Sequence, residues 1–259
     1  MRALYPLLFF LALPLLNGCT TDSMAELDNS DAGYDYVFKF TETENTNWTA
    51  DFADYPADQE EMFQLRSGSS PLPKESGQTK PSLMLSGHNY SDDLFMYLYR
   101  KVEDLKPNTP YLISFNVELA SNAPRNSVGI GGSPGASVYL KAGAIAYPPA
   151  REKEMVGGTP YWLVNFDKGN QAQEGKDMTV LGHIGTNLND FTYTLIDRSS
   201  TVPFSVTTNE KGELWLLLGI DSGFEGETTL YFTKFRLKVE QDVSSMAGVP
   251  VAGKAEKIR

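Results

Sequence analysis

The chain has 259 residues, with 12% aromatics, 22 Gly, 15 Pro and a single Cys, which suits one sizeable domain and excludes a disordered, collagenous, coiled-coil or disulfide-stapled protein. Lys and Arg number 22 against 33 Asp and Glu, a net charge of −11. With no long basic stretch, no electrostatic footprint for nucleic acid is present and no nucleic-acid partner is expected.

Met1-Arg2 precede an apolar run from Ala3 to Leu16, which leads into Asn17-Gly18-Cys19. A positive start, a short apolar segment and a small residue at the cut predict an export signal over residues 1–18, too short for a bilayer span of about 20 residues. Leu16-Asn17-Gly18-Cys19 resembles the lipobox of bacterial lipoproteins, and the resemblance implies that Cys19 becomes the lipidated first residue of the mature chain. Thr20 rather than Asp then follows the Cys, which by the same resemblance implies the outer membrane in a Gram-negative host. Removing residues 1–18 takes away Arg2, so the body is more acidic still and is repelled by anionic headgroups. Membrane attachment is therefore expected through the acyl chains alone.

Residues 19–33 are polar and acidic and predict a flexible tether. The body, residues 34–240, is large enough to bury one core, and residues 241–259 carry no periodic apolar face and read as a disordered tail. Within the body the apolar period is two. Tyr34, Tyr36, Phe38 and Phe40 share one face of a first strand; Tyr111, Ile113, Phe115, Val117 and Leu119 share one face of another. Val202, Phe204 and Val206 repeat the pattern, as do Leu214, Leu216, Leu218 and Ile220 after the turn Asn209-Glu210-Lys211-Gly212. Thr229 to Val239 places Tyr231, Phe235, Leu237 and Val239 on one face. Shorter apolar runs at 83–85, 94–99, 138–145, 161–166, 180–184 and 191–196 read as further strands bounded by Gly, Pro, Asn or Asp. No window carries a three-turn amphipathic helix with caps. The pattern predicts an all-β jelly-roll sandwich of two antiparallel sheets, with Trp48 to Pro81 and Ala120 to Ser137 as crossovers.

Pro107-Asn108-Thr109-Pro110-Tyr111-Leu112-Ile113-Ser114-Phe115, Gly212-Glu213-Leu214-Trp215-Leu216 and the run from Thr228 to Leu237 resemble carbohydrate-binding modules with a galactose-binding-like jelly roll. That resemblance implies the same fold and a structural calcium held partly by an Asp of the closing strand, where this chain has Thr233. Ser91-Asp92-Asp93-Leu94-Phe95-Met96-Tyr97 and Gly129-Ile130-Gly131-Gly132-Ser133-Pro134-Gly135, with Ser137 and Lys141 beyond, resemble an uncharacterised family of bacterial lipoproteins. The second resemblance implies class and location and no mechanism.

His88 and His183 stand in no spacing that puts both on one face, which argues against zinc. Calcium takes hard oxygens, and Asn89, Asp92 and Asp93 offer some, or else form turn hydrogen bonds to nearby backbone. The Gly129–Gly135 segment lacks the Lys-Ser/Thr of a phosphate loop, Pro134 occupies the final glycine of Gly-x-Gly-x-x-Gly, and no helix follows. Ser137 and Lys141 are four apart where Ser-x-x-Lys hydrolases need three, and no Gly-x-Ser-x-Gly occurs. Asp92 or Asp93 is expected to fix the Gly-rich loop through backbone N–H groups, with the two segments close together.

Stacking on aromatic rings is the binding chemistry that remains. Trp48 and Trp162 lie near loops and are candidate ligand-binding residues together with Asn89, Asp92 and Asp93; Tyr90 and Tyr147 are further candidates, and Trp215 alternates within a strand as core. The expected function is a lipid-anchored, non-enzymatic binding module for a glycan or another envelope component. The alternatives are a glycan-active hydrolase or lyase on the same fold, which needs two carboxylates across a cleft, and a protein-interaction scaffold. No cofactor is expected apart from the calcium.

Overall fold

A computed structural model describes residues 33–91 and 93–246. The export signal, Cys19, nearly all of the tether, Asp92 and residues 247–259 lie outside the described residues. In chain order the elements are β1 (Tyr34–Lys39), α1 (Glu42–Asn45), β2 (Thr49–Ala53), β3 (Tyr55–Pro56), β4 (Arg66–Pro71), β5 (Pro81–His88), β6 (Leu94–Val102), β7 (Pro110–Ser121) and β8 (Val138–Ile145). They continue with β9 (Arg151–Val156), β10 (Thr159–Val164), β11 (Met178–His183), β12 (Thr194–Ser199), β13 (Phe204–Thr207), β14 (Leu214–Ser222), β15 (Glu227–Gln241) and α2 (Val243–Met246).

Two antiparallel sheets form the expected jelly-roll sandwich. One runs β12-β7-β15-β5-β4, with β1 also on β15 and β13 also on β7; the other runs β11-β8-β14-β6-β2. Period-two patterning explains the packing. Ile113, Phe115, Val117 and Leu119 of β7 face Leu214, Leu216, Leu218 and Ile220 of β14 across one core, and all eight are buried. Phe235 sits at its centre, stacked on Phe115 at 5.8 Å and tilted against Trp48 at 6.0 Å.

In β15 the strict alternation expected from sequence fails at one place. The register to β7 shifts between Phe232 and Lys234, so Leu230 and Phe232 point inward before the bulge and Phe235, Leu237 and Val239 after it. Tyr231 therefore leaves the core and meets Tyr193 edge-on at 5.3 Å on the outer face. Thr233 is the inserted residue, and its hydroxyl donates to the Glu118 carbonyl (3.1 Å) and carboxylate (2.6 Å). The bulge leaves Thr233 out of the ladder to β7, while on the other side its carbonyl accepts the Phe40 N–H at 3.1 Å.

The segment from Trp48 to Pro81, expected as a crossover, contains β2, β3 and β4. The Arg-Ser-Gly-Ser-Ser-Pro of β4 is an edge strand with no apolar alternation, which is why its sequence reads as a loop. Val202 and Phe191 fall outside strands and are exposed. The turn after Asn209 forms as expected: the Asn209 side-chain oxygen accepts from Lys211 N–H and Glu213 N–H. Gly212 takes φ +74, where a Cβ would stand 2.0 Å from the Leu105 carbonyl.

A second, smaller apolar cluster forms on the outer face of the five-stranded sheet. Phe95 and Tyr97 of β6 and Leu217 of β14 pack there under Phe166 and Met178. Chain 166–178, beside a small sheet of order β3-β10-β9, roofs this face. That explains the unbroken apolar run of β6, which is buried on both sides.

Phe235→Ala is expected to destabilise the protein by about 3–5 kcal/mol in denaturant titrations. Tyr231→Ala, which opens no core cavity, is expected to cost less than about half of that. Equal effects would place Tyr231 in the core and refute the bulge.

Candidate functional site

At one end of the roofed face, three carboxylates and two ammonium groups gather, all buried except Asp93, whose side chain is 38% exposed. Lys141 of β8 and Asp221 of β14 point out of the sandwich on neighbouring strands, Asp54 follows β2, Asp93 precedes β6, and Lys168 comes down from the roof. Lys141 Nζ donates to Asp221 Oδ2 at 2.9 Å and to the Lys168 and Gln173 carbonyls at 2.8 and 3.0 Å. Lys168 Nζ lies 2.8 Å from both Asp221 Oδ2 and Asp54 Oδ2 and 3.7 Å from Asp93 Oδ1. The Gln171 N–H also donates to Asp221 Oδ2, at 2.9 Å. One oxygen of Asp221 thus receives two ammoniums and a backbone amide, and both lysines tie the roof to the sheet.

Around this knot the roof is folded tightly by further carboxylates. Asp167 accepts from Gly169 N–H and Lys176 N–H, and Asp177 accepts from Asp167 N–H and the Tyr147 hydroxyl. The two backbone bonds hold the Asp167 carboxyl below its ordinary value. Gly169, at φ +70, packs so closely on the Gln173 carbonyl that no Cβ fits.

Burial and charge act in opposite directions across the knot. Burial works against the Asp221 anion, yet the adjacent Lys168 and Lys141 ammoniums outweigh it and its carboxyl is held low. Burial likewise opposes charge on Lys168, and the carboxylates of Asp54, Asp221 and Asp93 reverse that and hold its ammonium charged. Burial draws Lys141 down, but three acceptors within 3.0 Å require all three hydrogens of the ammonium form. Asp54 is raised by burial. Asp93 is pushed up to about 7, first by burial and then by the Asp54 and Asp221 carboxylates, against the pull of Lys168. With two ammoniums against three carboxyls, one proton on the raised Asp54–Asp93 pair balances the knot.

Oxygen atoms of Asp54, Asp93 and Asp221 lie within 4.8 Å of one another, the geometry of a hard-cation site. The Lys168 ammonium already stands among them. Asp221 is held by both lysines and Asp54 by Lys168, so the cluster holds the roof, while Asp93 Oδ1 and Asp221 Oδ1 are buried without a hydrogen-bond partner.

The sequence-derived site residues are placed as follows. Asp93 joins Asp54 and Asp221 rather than Asn89. The Asn89 amide donates to the Ser222 and Phe224 carbonyls while its oxygen accepts the Ser91 N–H, so Asn89 latches a turn. Asp92 lies outside the described residues. The Gly-rich loop is fixed by serines and not by Asp93: Ser137 Oγ accepts the Ser133 N–H, and Ser133 Oγ accepts the Gly135 and Ala136 N–H groups. The two segments do approach the same turn, since the Glu225 N–H donates to the Ile130 carbonyl.

Neither expected stacking platform presents a free ring. Trp48 is only 7% exposed, and its ring packs against Phe38, Phe40 and Phe235. Trp162 is half-buried with the Arg151 guanidinium 4.4 Å and the Lys153 ammonium 4.8 Å from its ring centre. Cation–π pairing occupies the ring that a ligand would need. Trp215 behaves in the opposite way: Leu214 and Leu216 enter the core and turn Trp215 to the outer face, half-buried. The diagonal neighbour on β6 is Tyr99, which pairs with Leu217 while Trp215 pairs with Lys101. His88 stacks on Tyr90 at 4.1 Å, and His183 Nδ1 accepts the Gly185 N–H.

Sequence reasoning missed Asp54, Lys141, Lys168 and Asp221 as a unit. A signal existed in Lys141 and Asp221, each set in an otherwise apolar strand where a charge has to be paired.

No family model matches the chain, and no curated protein matches it. Among solved structures it is similar to the enzymatically active domain of tailspike protein 4 of bacteriophage CBA120, at 11% identity over 76% of this chain and 21% of that one, with a TM-score of 0.31. The chain thus spans about a fifth of that domain. It is also similar to the carbohydrate-binding module TmCBM61 in complex with beta-1,4-galactotriose (9% identity, 77% and 97% coverage, TM-score 0.36). A third is the CBM22-1 xylan-binding domain of Paenibacillus barcinonensis Xyn10C (12% identity, 82% and 97% coverage, TM-score 0.34). At these TM-scores the sandwich rests on the sheet pairing described above.

Two outcomes test the knot. Asp93 binds a proton in the folded state up to about pH 7 that an ordinary carboxyl releases near pH 4. Folding stability is therefore expected to fall as pH rises from about 4 to about 7 and to level off above, and Asp93→Asn to flatten that slope in thermal melts and raise Tm at pH 8. Lys168→Ala removes the buried cation and is expected to cost about 3–5 kcal/mol, with calcium restoring part of the loss by serving the three carboxylates.

Proposed function

We propose that this chain is a lipid-anchored cell-envelope lipoprotein whose body is a non-enzymatic binding module for a glycan. The observation that carries the binding part is the aromatic strip of Tyr99 and Trp215 on the outer face of the five-stranded sheet. It lies on the same face as the ionic knot but three strand rows away, since Asp221 pairs with Phe95 and Trp215 with Lys101. Thr49, opposite Tyr99, is exposed beside the rings, and Lys101, opposite Trp215, is ion-paired there with Glu103 and Glu213. Flat rings flanked by an exposed hydroxyl and by these charged groups suit the C–H faces and hydroxyls of a sugar chain. The export and anchoring part rests on the apolar run Ala3–Leu16 and on Leu16-Asn17-Gly18-Cys19.

The binding reading is checked by titrating soluble neutral polysaccharides and scoring retention in affinity gels. Trp215→Ala and Tyr99→Ala are each expected to weaken binding about tenfold or more, in line with the share that buried aromatic anchors carry, without changing Tm by more than a few degrees. Retention unaffected by both substitutions would remove the strip from the reading. For the anchor, Cys19→Ser is expected to move the protein from the membrane to the soluble fraction. A variant that stays with the membrane after a carbonate wash would refute lipidation.

A further inference from the structure

We propose that a groove at the end of the seven-stranded sheet, rimmed by the stacked rings of His88 and Tyr90, is a second sugar-binding site. It takes one neutral pyranose ring, stacked on Tyr90 and hydrogen-bonded by Glu61, Gln64 and Arg66. This deepens the glycan reading above, rests on it, and adds a contact on the sheet that does not carry Tyr99 and Trp215.

The groove lies between a short 3₁₀ helix (Glu60–Phe63), which Gln64 ends at a left-handed φ of +48, and the start of β4. Its volume is about 420 Å³, and Glu60, Glu61, Gln64, Leu65 and Arg66 line it. That size falls in the range of about 300–1,000 Å³ of small-molecule sites. Three contacts join the lining to the rings. Phe63 meets Tyr90 edge-on at 5.8 Å. Leu65 packs beside Gly87, the neighbour of His88 in the chain, where a Cβ would stand 3.1 Å from Leu65 Cδ2. The Arg66 guanidinium donates to Ser86 Oγ at 3.1 Å and to Glu227 at 2.7 Å, and Glu227 pairs directly opposite His88.

All of these groups are open to a ligand. Tyr90 is 47% exposed, and no described Tyr or Trp is more so. His88 covers one of its faces, at 4.1 Å with the planes 11° apart, so the exposed area falls on the other face and the rim. Asn89, bound to the Ser222 and Phe224 carbonyls, fixes the chain directly before the ring, and a ring already held in place loses little freedom when a ligand stacks on it. The Arg66 and Glu227 side chains are 58% and 52% exposed, and Glu61 and Gln64 are exposed too. The ligand class follows. A pyranose has C–H groups that lie on an aromatic face and hydroxyls that both donate and accept. Glu61 and the Gln64 oxygen accept from hydroxyls; Arg66 spends Nη2 on Glu227 and Ser86 and keeps Nη1 and Nε to donate. Glu60 is drawn toward Arg151, 3.6 Å away. The lining sets two carboxylates, Glu60 and Glu61, against one guanidinium, with Glu227 beside them, so an acidic sugar is repelled and a neutral one is taken.

Tyrosine labelled with carbon-13 gives ring signals in NMR of the detergent-solubilised full chain. Tyr90→Phe, which keeps a ring against His88, identifies the Tyr90 signal; should that variant not fold, through-space contacts to His88 identify it in the native protein. Methyl glycosides of glucose, galactose, mannose and N-acetylglucosamine are titrated in turn, then those of glucuronic acid and glucosamine. The expected result is a saturable shift of the Tyr90 signal with at least one neutral glycoside and little with the glucuronoside. Arg66→Met is expected to raise the dissociation constant about tenfold, in line with a lost hydrogen bond to a charged group, while Tm stays within a few degrees because the Arg66–Glu227 pair is exposed. An undiminished shift in Arg66→Met overturns the part given to Arg66. A glucuronoside that binds as well as the neutral sugars overturns the neutral assignment, and a response to the glucosamine glycoside alone overturns it in favour of an ammonium group. A shift of the Trp215 indole signal with Tyr90 unmoved overturns the second site and leaves the glycan reading standing. No movement of the Tyr90 signal with any probe overturns the site, and the polysaccharide titrations on Trp215→Ala then decide the glycan reading separately.

Discussion

Asp221 is the group on which the outer half of this molecule depends. Its side chain is fully buried near the end of a strand whose inward residues Leu214, Leu216, Leu218 and Ile220 are aliphatic, and one of its oxygens takes two ammoniums and a backbone amide. A carboxylate in such a place is tolerated only when its charge is met by nearby donors. Lys141 meets it from the sheet and Lys168 from the roof. Because Lys141 also binds the Lys168 and Gln173 carbonyls, satisfying Asp221 and placing the roof are one event.

Roofing this face has a structural consequence for the sheet below. Phe95 and Tyr97 are stacked at 5.1 Å and closed over by Phe166, so the knot sits at the rim of an apolar patch with Asp54, Lys141, Lys168 and Asp221 shielded from water and Asp93 partly exposed. The same arrangement divides the outer face. The rows holding Phe95, Tyr97 and Asp221 are buried, whereas Tyr99 and Trp215 remain at the solvent border. A sheet that would otherwise expose a continuous aromatic face presents only its far end.

Local pattern determined much of the architecture. Alternation in β7 and β14, the Asn209–Gly212 turn and the lack of any long amphipathic helix specify a two-sheet sandwich, because a period of two can bury only one face of a strand. The proposed export signal and lipidation of Cys19 rest on the apolar run and on the resemblance of Leu16-Asn17-Gly18-Cys19 to a lipobox, and lie outside the described residues. The bulge at Thr233, the edge strand Arg66–Pro71 and the pairing of Asp221 with Lys141 and Lys168 were decided by tertiary structure. Each depends on a partner far away in the chain: Glu118 for Thr233, β5 for β4, and, for the knot's Asp221, Lys168 at 53 positions, Lys141 at 80 and the most distant member, Asp54, at 167. The same reason moved Trp48 inward and Trp215 outward. Periodicity says that a side chain points to one face or the other, but only the packing of Phe38 and Phe235 against one ring, and of the leucines either side of the other, settles which face is the core.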